Sequence, residues 1–229
     1  MNSRLAPAAV SIRAGAAQLQ GLLRLPSDAG SIILFAHGSG SGRLSPRNNF
    51  VAEGLGRAGI ATLLFDLLTE REEDLDVTAE LRFDIPLLTA RLAAATRWTL
   101  EEPSLRSLPV GYFGASTGAA AAIAAAAQVP EVTAVVSRGG RPDLAGPALS
   151  RVRAATLLIV GGDDPQVLAL NQDALRQLRC EAQLAVVPGA THLFVEPGAL
   201  EQVTALATAW FTRHARPGGA RSPALSGTV

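Results

Sequence analysis

A serine with glycines two positions before and two after, Gly114-Ala115-Ser116-Thr117-Gly118, is the pattern in this sequence best suited to nucleophilic chemistry. It follows the apolar run Pro109 to Phe113 and precedes the alanine-rich stretch Ala119 to Ala127, so it reads as a strand turning directly into a helix. The glycines let backbone approach backbone in a strained turn. The helix N-terminus favours negative charge developing beside the serine. The competing reading is a serine that only caps a helix. A serine hydroxyl attacks a carbonyl only when a base takes its proton, and three histidines compete for that role.

His214 lies in the last helical turn before a Pro/Gly-rich end, and His37 opens the loop His37-Gly38-Ser39-Gly40 ahead of the serine. His192 follows a late strand and the turn Pro188-Gly189-Ala190, which puts it on the last loop of the chain's sheet. Where a strand, elbow and helix carry the serine, the chain order is Ser, acid, His, so His192 is the expected base. A structural histidine held by backbone is the alternative. The acid is sought at a strand end between them, and Gly161-Gly162-Asp163-Asp164-Pro165 offers two. Asp164 is preferred because Pro165 biases it to an extended conformation, with Asp163 left as a turn former or the alternative acid. A tetrahedral intermediate also needs fixed donors for its oxyanion. The backbone N–H groups of Thr117, the residue after the serine, and of Ser39, in the glycine-rich loop, are the expected pair.

The elements that must hold these groups alternate along the chain. Apolar runs rich in β-branched residues (Ser31 to Ala36, Ile60 to Asp66, Pro109 to Gly114, Val132 to Ser137, Thr156 to Gly161, Gln183 to Val187) are read as strands. Between them lie Ala/Leu/Arg stretches at helical spacing: Pro46 to Ala58, Phe83 to Leu100, Ser116 to Gln128, Val167 to Arg179 and Leu200 to His214. Val10 to Arg13 and Ala17 to Leu25 read as an opening strand pair, and the acidic run Glu70 to Asp76 as a solvated loop. The predicted class is α/β, a mostly parallel central sheet flanked by helices. With 229 residues and 48% of them apolar, one domain over residues 1–215 is expected, followed by a disordered tail over 216–229.

Composition removes other chemistries. All 20 basic residues are arginine, so Schiff bases, a P-loop lysine and a Ser/Lys dyad are excluded, and the 20 acidic residues bring the net charge to zero. Nucleic acid and anionic membranes are therefore not expected partners. The single cysteine, Cys180, forms no internal disulfide and no cysteine-based zinc site; Met1 to Gly15 carries no apolar core of seven or more residues as a signal peptide would, and the longest apolar run, Ala119 to Ala127, is too short for a membrane span. A cytoplasmic protein, monomer or homodimer, acting on a small molecule with no metal and no organic cofactor, is the expectation.

Taken together, the His37-Gly38-Ser39-Gly40-Ser41 loop, the Ser116 elbow, Gly161-Gly162-Asp163-Asp164-Pro165 and Gly189-Ala190-Thr191-His192 resemble the α/β-hydrolase superfamily, most closely its dienelactone-hydrolase-like branch, over roughly residues 18 to 214. The resemblance implies an α/β-hydrolase fold and hydrolysis of an ester, thioester or lactone. Dienelactone hydrolases proper carry cysteine at the elbow; Ser116 here moves the expectation towards a serine esterase. Similar modules are also found fused to phosphoribosyltransferase domains, but this sequence has no pyrophosphate-binding loop. Acyl transfer or perhydrolysis on the same triad and a non-catalytic ligand-binding protein are the alternatives. The short stretch Arg138 to Ala155 leaves no room for a large lid, which favours small substrates. Arg43, Arg47, Arg138 and Arg141 lie on loops at strand ends and are candidates for binding an anionic substrate group; the competing reading pairs them with Asp143 or with the acidic run.

Overall fold

The computed structural model describes residues 6–216. Eight strands form one sheet: β1 (Ala8–Ala14), β2 (Ala17–Arg24), β3 (Ser31–Ala36), β4 (Ile60–Phe65), β5 (Val110–Ala115), β6 (Val132–Arg138), β7 (Ala155–Gly161) and β8 (Ala182–Val187), in spatial order β1-β2-β4-β3-β5-β6-β7-β8. β1 pairs antiparallel with β2, and β2 with β4; every later pairing is parallel. The central strands β3, β4 and β5 are buried along their whole length, which is why their sequences run apolar without alternation.

Helices cover both faces. α1 (Pro46–Arg57) and α6 (Ala199–His214) pack over a core that includes Phe35, Phe113, Val136, Phe194 and Phe211. On the other face, α3 (Ile85–Glu101), α4 (Thr117–Ala126) and α5 (Pro165–Gln177) cover Leu34, Tyr112, Val135 and Leu158. α4 is buried along its entire length, and its alanines allow it to lie flat on the sheet directly behind the elbow. Tyr112 reaches across to α3, its hydroxyl 2.6 Å from that of Thr96, so its one polar atom is satisfied inside the core.

One stretch differs from the sequence reading. The acidic run is helical: α2 (Glu70–Leu75) starts at a capping box in which the Thr69 hydroxyl accepts the Glu72 N–H and the Glu72 carboxylate accepts the Thr69 N–H. The Arg138 to Ala155 stretch, read as too short for a large lid, is ordered as a kinked 3-10 segment, Pro142–Arg151, packed against α4 and α5. No helix among the described residues is long and apolar enough to cross a membrane. From residue 217 onward the expected tail lies outside the described residues.

Candidate active site

Ser116 stands between β5 and α4 with φ +50° and ψ −122°, a conformation costing a non-glycine residue about 1–3 kcal/mol. The surroundings impose it. The Ser116 N–H donates to the Arg138 carbonyl on β6 (3.2 Å), and the Ser116 carbonyl accepts from Ala119 (3.1 Å) and Arg141 (3.1 Å). The two elbow glycines are required sterically: a Cβ on Gly114 would lie 2.5 Å from Ala119 Cα, and one on Gly118 would lie 2.2 Å from Ala36 O and 2.4 Å from His37 O. Since those contacts are backbone, Gly118→Ala is expected to destabilise the fold by about 3 kcal/mol or more. Gly56→Ala is the comparison, because the added methyl meets nothing within 4 Å on helix α1, and it is expected to stabilise by about 0.5–1 kcal/mol. Denaturant titration of both variants checks the contrast; equal stabilities would remove the steric account of the elbow.

His192 Nδ1 lies 2.8 Å from Asp164 Oδ2. A carboxylate only accepts, so Nδ1 carries the proton and Nε2 is left as the acceptor, the tautomer a general base needs. Asp164 is fixed by its second oxygen, which accepts the Val167 N–H at the start of α5 (3.4 Å), and by its own N–H bond to Gly161 O (3.1 Å). Its side chain is 14% exposed and that of His192 38%, so the pair sits at the edge of solvent. Asp163 is exposed and has no side-chain hydrogen bond among the described residues; only its N–H is engaged, by Ala190 O. The His192 loop is anchored by Phe194, buried at φ +54°, and by Gly139, where a Cβ would come within 3.1 Å of His192 O. Gly139 follows the residue whose carbonyl holds Ser116, so a single peptide unit bridges the serine and histidine loops. Among the described residues no hydrogen bond joins Ser116 Oγ to His192 Nε2; such bonds commonly tighten only around a reacting substrate.

The other two histidines are otherwise engaged. Buried His37 accepts the Leu67 N–H at Nε2 (2.9 Å) and donates from Nδ1 to Gly38 O (3.0 Å), so Nε2 ties the glycine-rich loop to the segment after β4 while Nδ1 is satisfied within the loop. Burial pushes its pKa down. His214 stacks on Trp210 at the far end of α6, beside Glu181. Burial raises the pKa of the Cys180 thiol, in keeping with an inert residue.

Both expected oxyanion donors adjoin the serine. A Cβ on Gly38 would lie 3.1 Å from Ser116 Cβ, so the loop rests on the elbow. The Ser39 N–H, however, donates to Thr117 Oγ1 (3.0 Å), a side-chain contact that sequence reading missed. A cleft of about 600 Å³ runs along the same loop from His37 to Arg47 and is walled by Asp66 to Leu68, Glu73, Arg82 and Leu88; neither Ser116 nor His192 is among the residues that line it. The four arginines divide. Arg43 is ion-paired to Asp66, which also accepts the Arg43 N–H (2.7 Å), and Arg141 is held by both oxygens of Asp143 (2.9 and 2.7 Å). Arg47 and Arg138 have no ion pair among the described residues.

Strand order, the strained elbow and a His–carboxylate pair at the carboxyl ends of parallel strands define an α/β-hydrolase. The sequence profile of the dienelactone hydrolase family matches residues 51–214, and the chain belongs to that family. A crystal structure of a dienelactone hydrolase from Anabaena variabilis is 56% identical and superposes with a TM-score of 0.92, covering 93% of this chain and all (100%) of that one. Est1E from Butyrivibrio proteoclasticus shares the fold at 15% identity, with a TM-score of 0.75 over 89% of this chain and 97% of its own. Two Mycobacterium tuberculosis proteins named as proposed phosphoribosyl transferases are 57% identical over 206 residues. That match takes in 90% of this chain but 46% of theirs, so the chain spans about half the length of these curated relatives.

Proposed function

We propose that this hydrolase is a serine esterase that cleaves a small ester-like substrate, whether ester, thioester or lactone, through an acyl-enzyme on Ser116. The observation that carries the reading is the 2.8 Å bond from His192 to Asp164 beside a serine held at φ +50°. Ser116 Oγ attacks the carbonyl carbon and its proton passes to His192 Nε2. Asp164 stabilises the imidazolium. The oxyanion is received by the N–H groups of Thr117 and Ser39; the Thr117 hydroxyl and the oxyanion compete for the latter, and one χ rotation decides between them. The carbonyl–leaving-group bond breaks, and His192 returns its proton to the departing oxygen or sulfur. Water then repeats the sequence on the acyl-enzyme and releases the acid.

The transferase name of the curated relatives describes proteins about twice as long. We assign the hydrolase chemistry to the shared half, because the matched stretch holds the elbow, the acid and the histidine. Reaction with a fluorophosphonate probe is expected to add one group per chain, located at Ser116 by peptide mass spectrometry, since only an activated serine reacts quickly. Labelling elsewhere, or none in the folded protein, counts against the reading.

A further inference from the structure

The two backbone donors expected to receive the oxyanion stand in different states. The Thr117 N–H lies at the first position of α4, where no helical carbonyl reaches back to it, and it has no acceptor among the described residues. The Ser39 N–H is engaged, by the Thr117 hydroxyl at 3.0 Å. One residue thus supplies the first donor and, through its side chain, covers the second. Thr117 is buried, at 4% exposure, so its hydroxyl is shut off from water and the Ser39 N–H is its partner in place of solvent.

The loop that carries Ser39 is held by contacts that do not involve Thr117. Ahead of it, His37 Nε2 accepts the Leu67 N–H, and a Cβ on Gly38 would meet Ser116 Cβ at 3.1 Å and Ala115 O at 3.2 Å. Beyond it, the Ser41 N–H donates to Gly38 O (3.2 Å), and Asn49 Nδ2 donates to the Arg43 carbonyl (2.9 Å). Removing the Thr117 hydroxyl therefore uncovers the Ser39 N–H without releasing the backbone that aims it.

We propose that Thr117 is a positioning residue that reserves the Ser39 N–H for the transition state. This rests on the hydrolase reading and specifies how its oxyanion site is gated. A neutral ester carbonyl is no stronger an acceptor than a hydroxyl, so it gains nothing by displacing Thr117 Oγ1 and binds with the second donor still covered. As Ser116 Oγ adds to the carbonyl carbon, the C=O electron pair moves to oxygen, and charge-assisted bonds are about twice as strong as neutral ones. The oxyanion then takes the Ser39 N–H, and the threonine side chain turns to the second of the two χ1 wells open to it in a helix. A donor engaged only at that stage raises kcat and adds nothing to substrate affinity.

Valine at 117 keeps the buried shape and removes the acceptor, so the substrate carbonyl meets an open Ser39 N–H from the start. On a short neutral ester, Thr117→Val is expected to lower KM by about two- to tenfold while kcat changes less, so that kcat/KM rises. Thr117→Ser, which restores the hydroxyl, is expected to bring KM back towards the wild-type value. A threonine that only supports the fold would instead lower kcat or the unfolding temperature. The second measurement uses wild type alone and stays decisive should Thr117→Val not fold. Methylboronic acid accepts the Ser116 Oγ electron pair at boron, the hydroxyl proton passing to His192, and leaves a tetrahedral anion whose oxygen faces both donors. A crystal structure of that adduct is expected to show the Ser39 N–H on the boronate oxygen and the Thr117 hydroxyl turned away. An adduct with the Ser39–Thr117 bond intact, a fall in kcat/KM or an unchanged KM in Thr117→Val, or a Thr117→Ser variant that behaves as Thr117→Val would each overturn the gate while leaving an active hydrolase. If the boronic acid forms no bond to Ser116 and wild type cleaves no ester, the hydrolase reading itself fails and the gate with it.

Discussion

Ser116→Ala is expected to lower kcat/KM for a short neutral ester such as 2-methoxyethyl acetate by about 10⁴- to 10⁶-fold, leaving the fold intact. The size follows from where the hydroxyl stands. Ser116 Oγ caps none of the first N–H groups of α4, so its removal leaves no buried donor unsatisfied. Alanine must adopt the same φ of +50°, which the N–H bond to Arg138 O and the two flanking glycines impose on any residue here. The mutation therefore deletes the nucleophile and little else. Thermal unfolding within a few degrees of wild type, alongside collapsed turnover, is the expected pair of results. Retention of more than about a tenth of wild-type activity would mean that water attacks directly, activated by His192, and that no acyl-enzyme forms.

Much of this site was legible because the chemistry and the fold share one signal. The glycines that mark Ser116 as a candidate nucleophile are also what lets β5 turn into α4 without collision, and the Pro165 that pointed to Asp164 opens α5, for which Asp164 is the N-cap. The central strands β3, β4, β5 and β7 were readable because their burial is continuous. The helical reading of Glu70 to Asp76 was available in Thr69-Glu70-Arg71-Glu72, a capping box, but the density of charge suggested solvent instead. The 3-10 turns from Pro142 to Arg151 carry no periodicity, since their stability comes from packing on α4 and α5.

Three features depended on tertiary structure. Arg43, on the loop, and Arg47, in the first turn of α1, are four residues apart and look equivalent in sequence, yet Asp66, at the end of a different strand, neutralises only the first. Arg141 finds its partner two residues on, in Asp143, as the competing reading held, whereas Arg138 turns into the sheet face occupied by Phe113. The bond from the Ser39 N–H to the Thr117 hydroxyl spans 78 residues, and nothing local announces it. What sequence supplied was the set of candidate groups; which of the four arginines are ion-paired emerged only when the loops were brought together.

Asp164→Asn is expected to reduce kcat/KM by about 10⁴-fold, and Asp163→Asn by no more than a few-fold. The two positions are adjacent and chemically identical, so the difference is one of geometry. Asp164 Oδ2 lies 2.8 Å from His192 Nδ1, while the Asp163 side chain is exposed and only its backbone N–H is tied to the His192 loop. Asparagine at 164 places either an amide donor or a neutral carbonyl against Nδ1. The donor forces the proton to Nε2 and removes the base; the carbonyl keeps the tautomer but no longer stabilises the imidazolium. Asparagine caps helices as well as aspartate does, so α5 keeps its N-cap at Val167 and unfolding is expected to shift little. Kinetics with all three proteins, paired with fluorophosphonate labelling rates, separates the outcomes. Slow labelling of Asp164→Asn with normal labelling of Asp163→Asn supports the assignment, whereas the reverse ranking would move the acid to Asp163 and require the His192 loop to rearrange before the enzyme turns over.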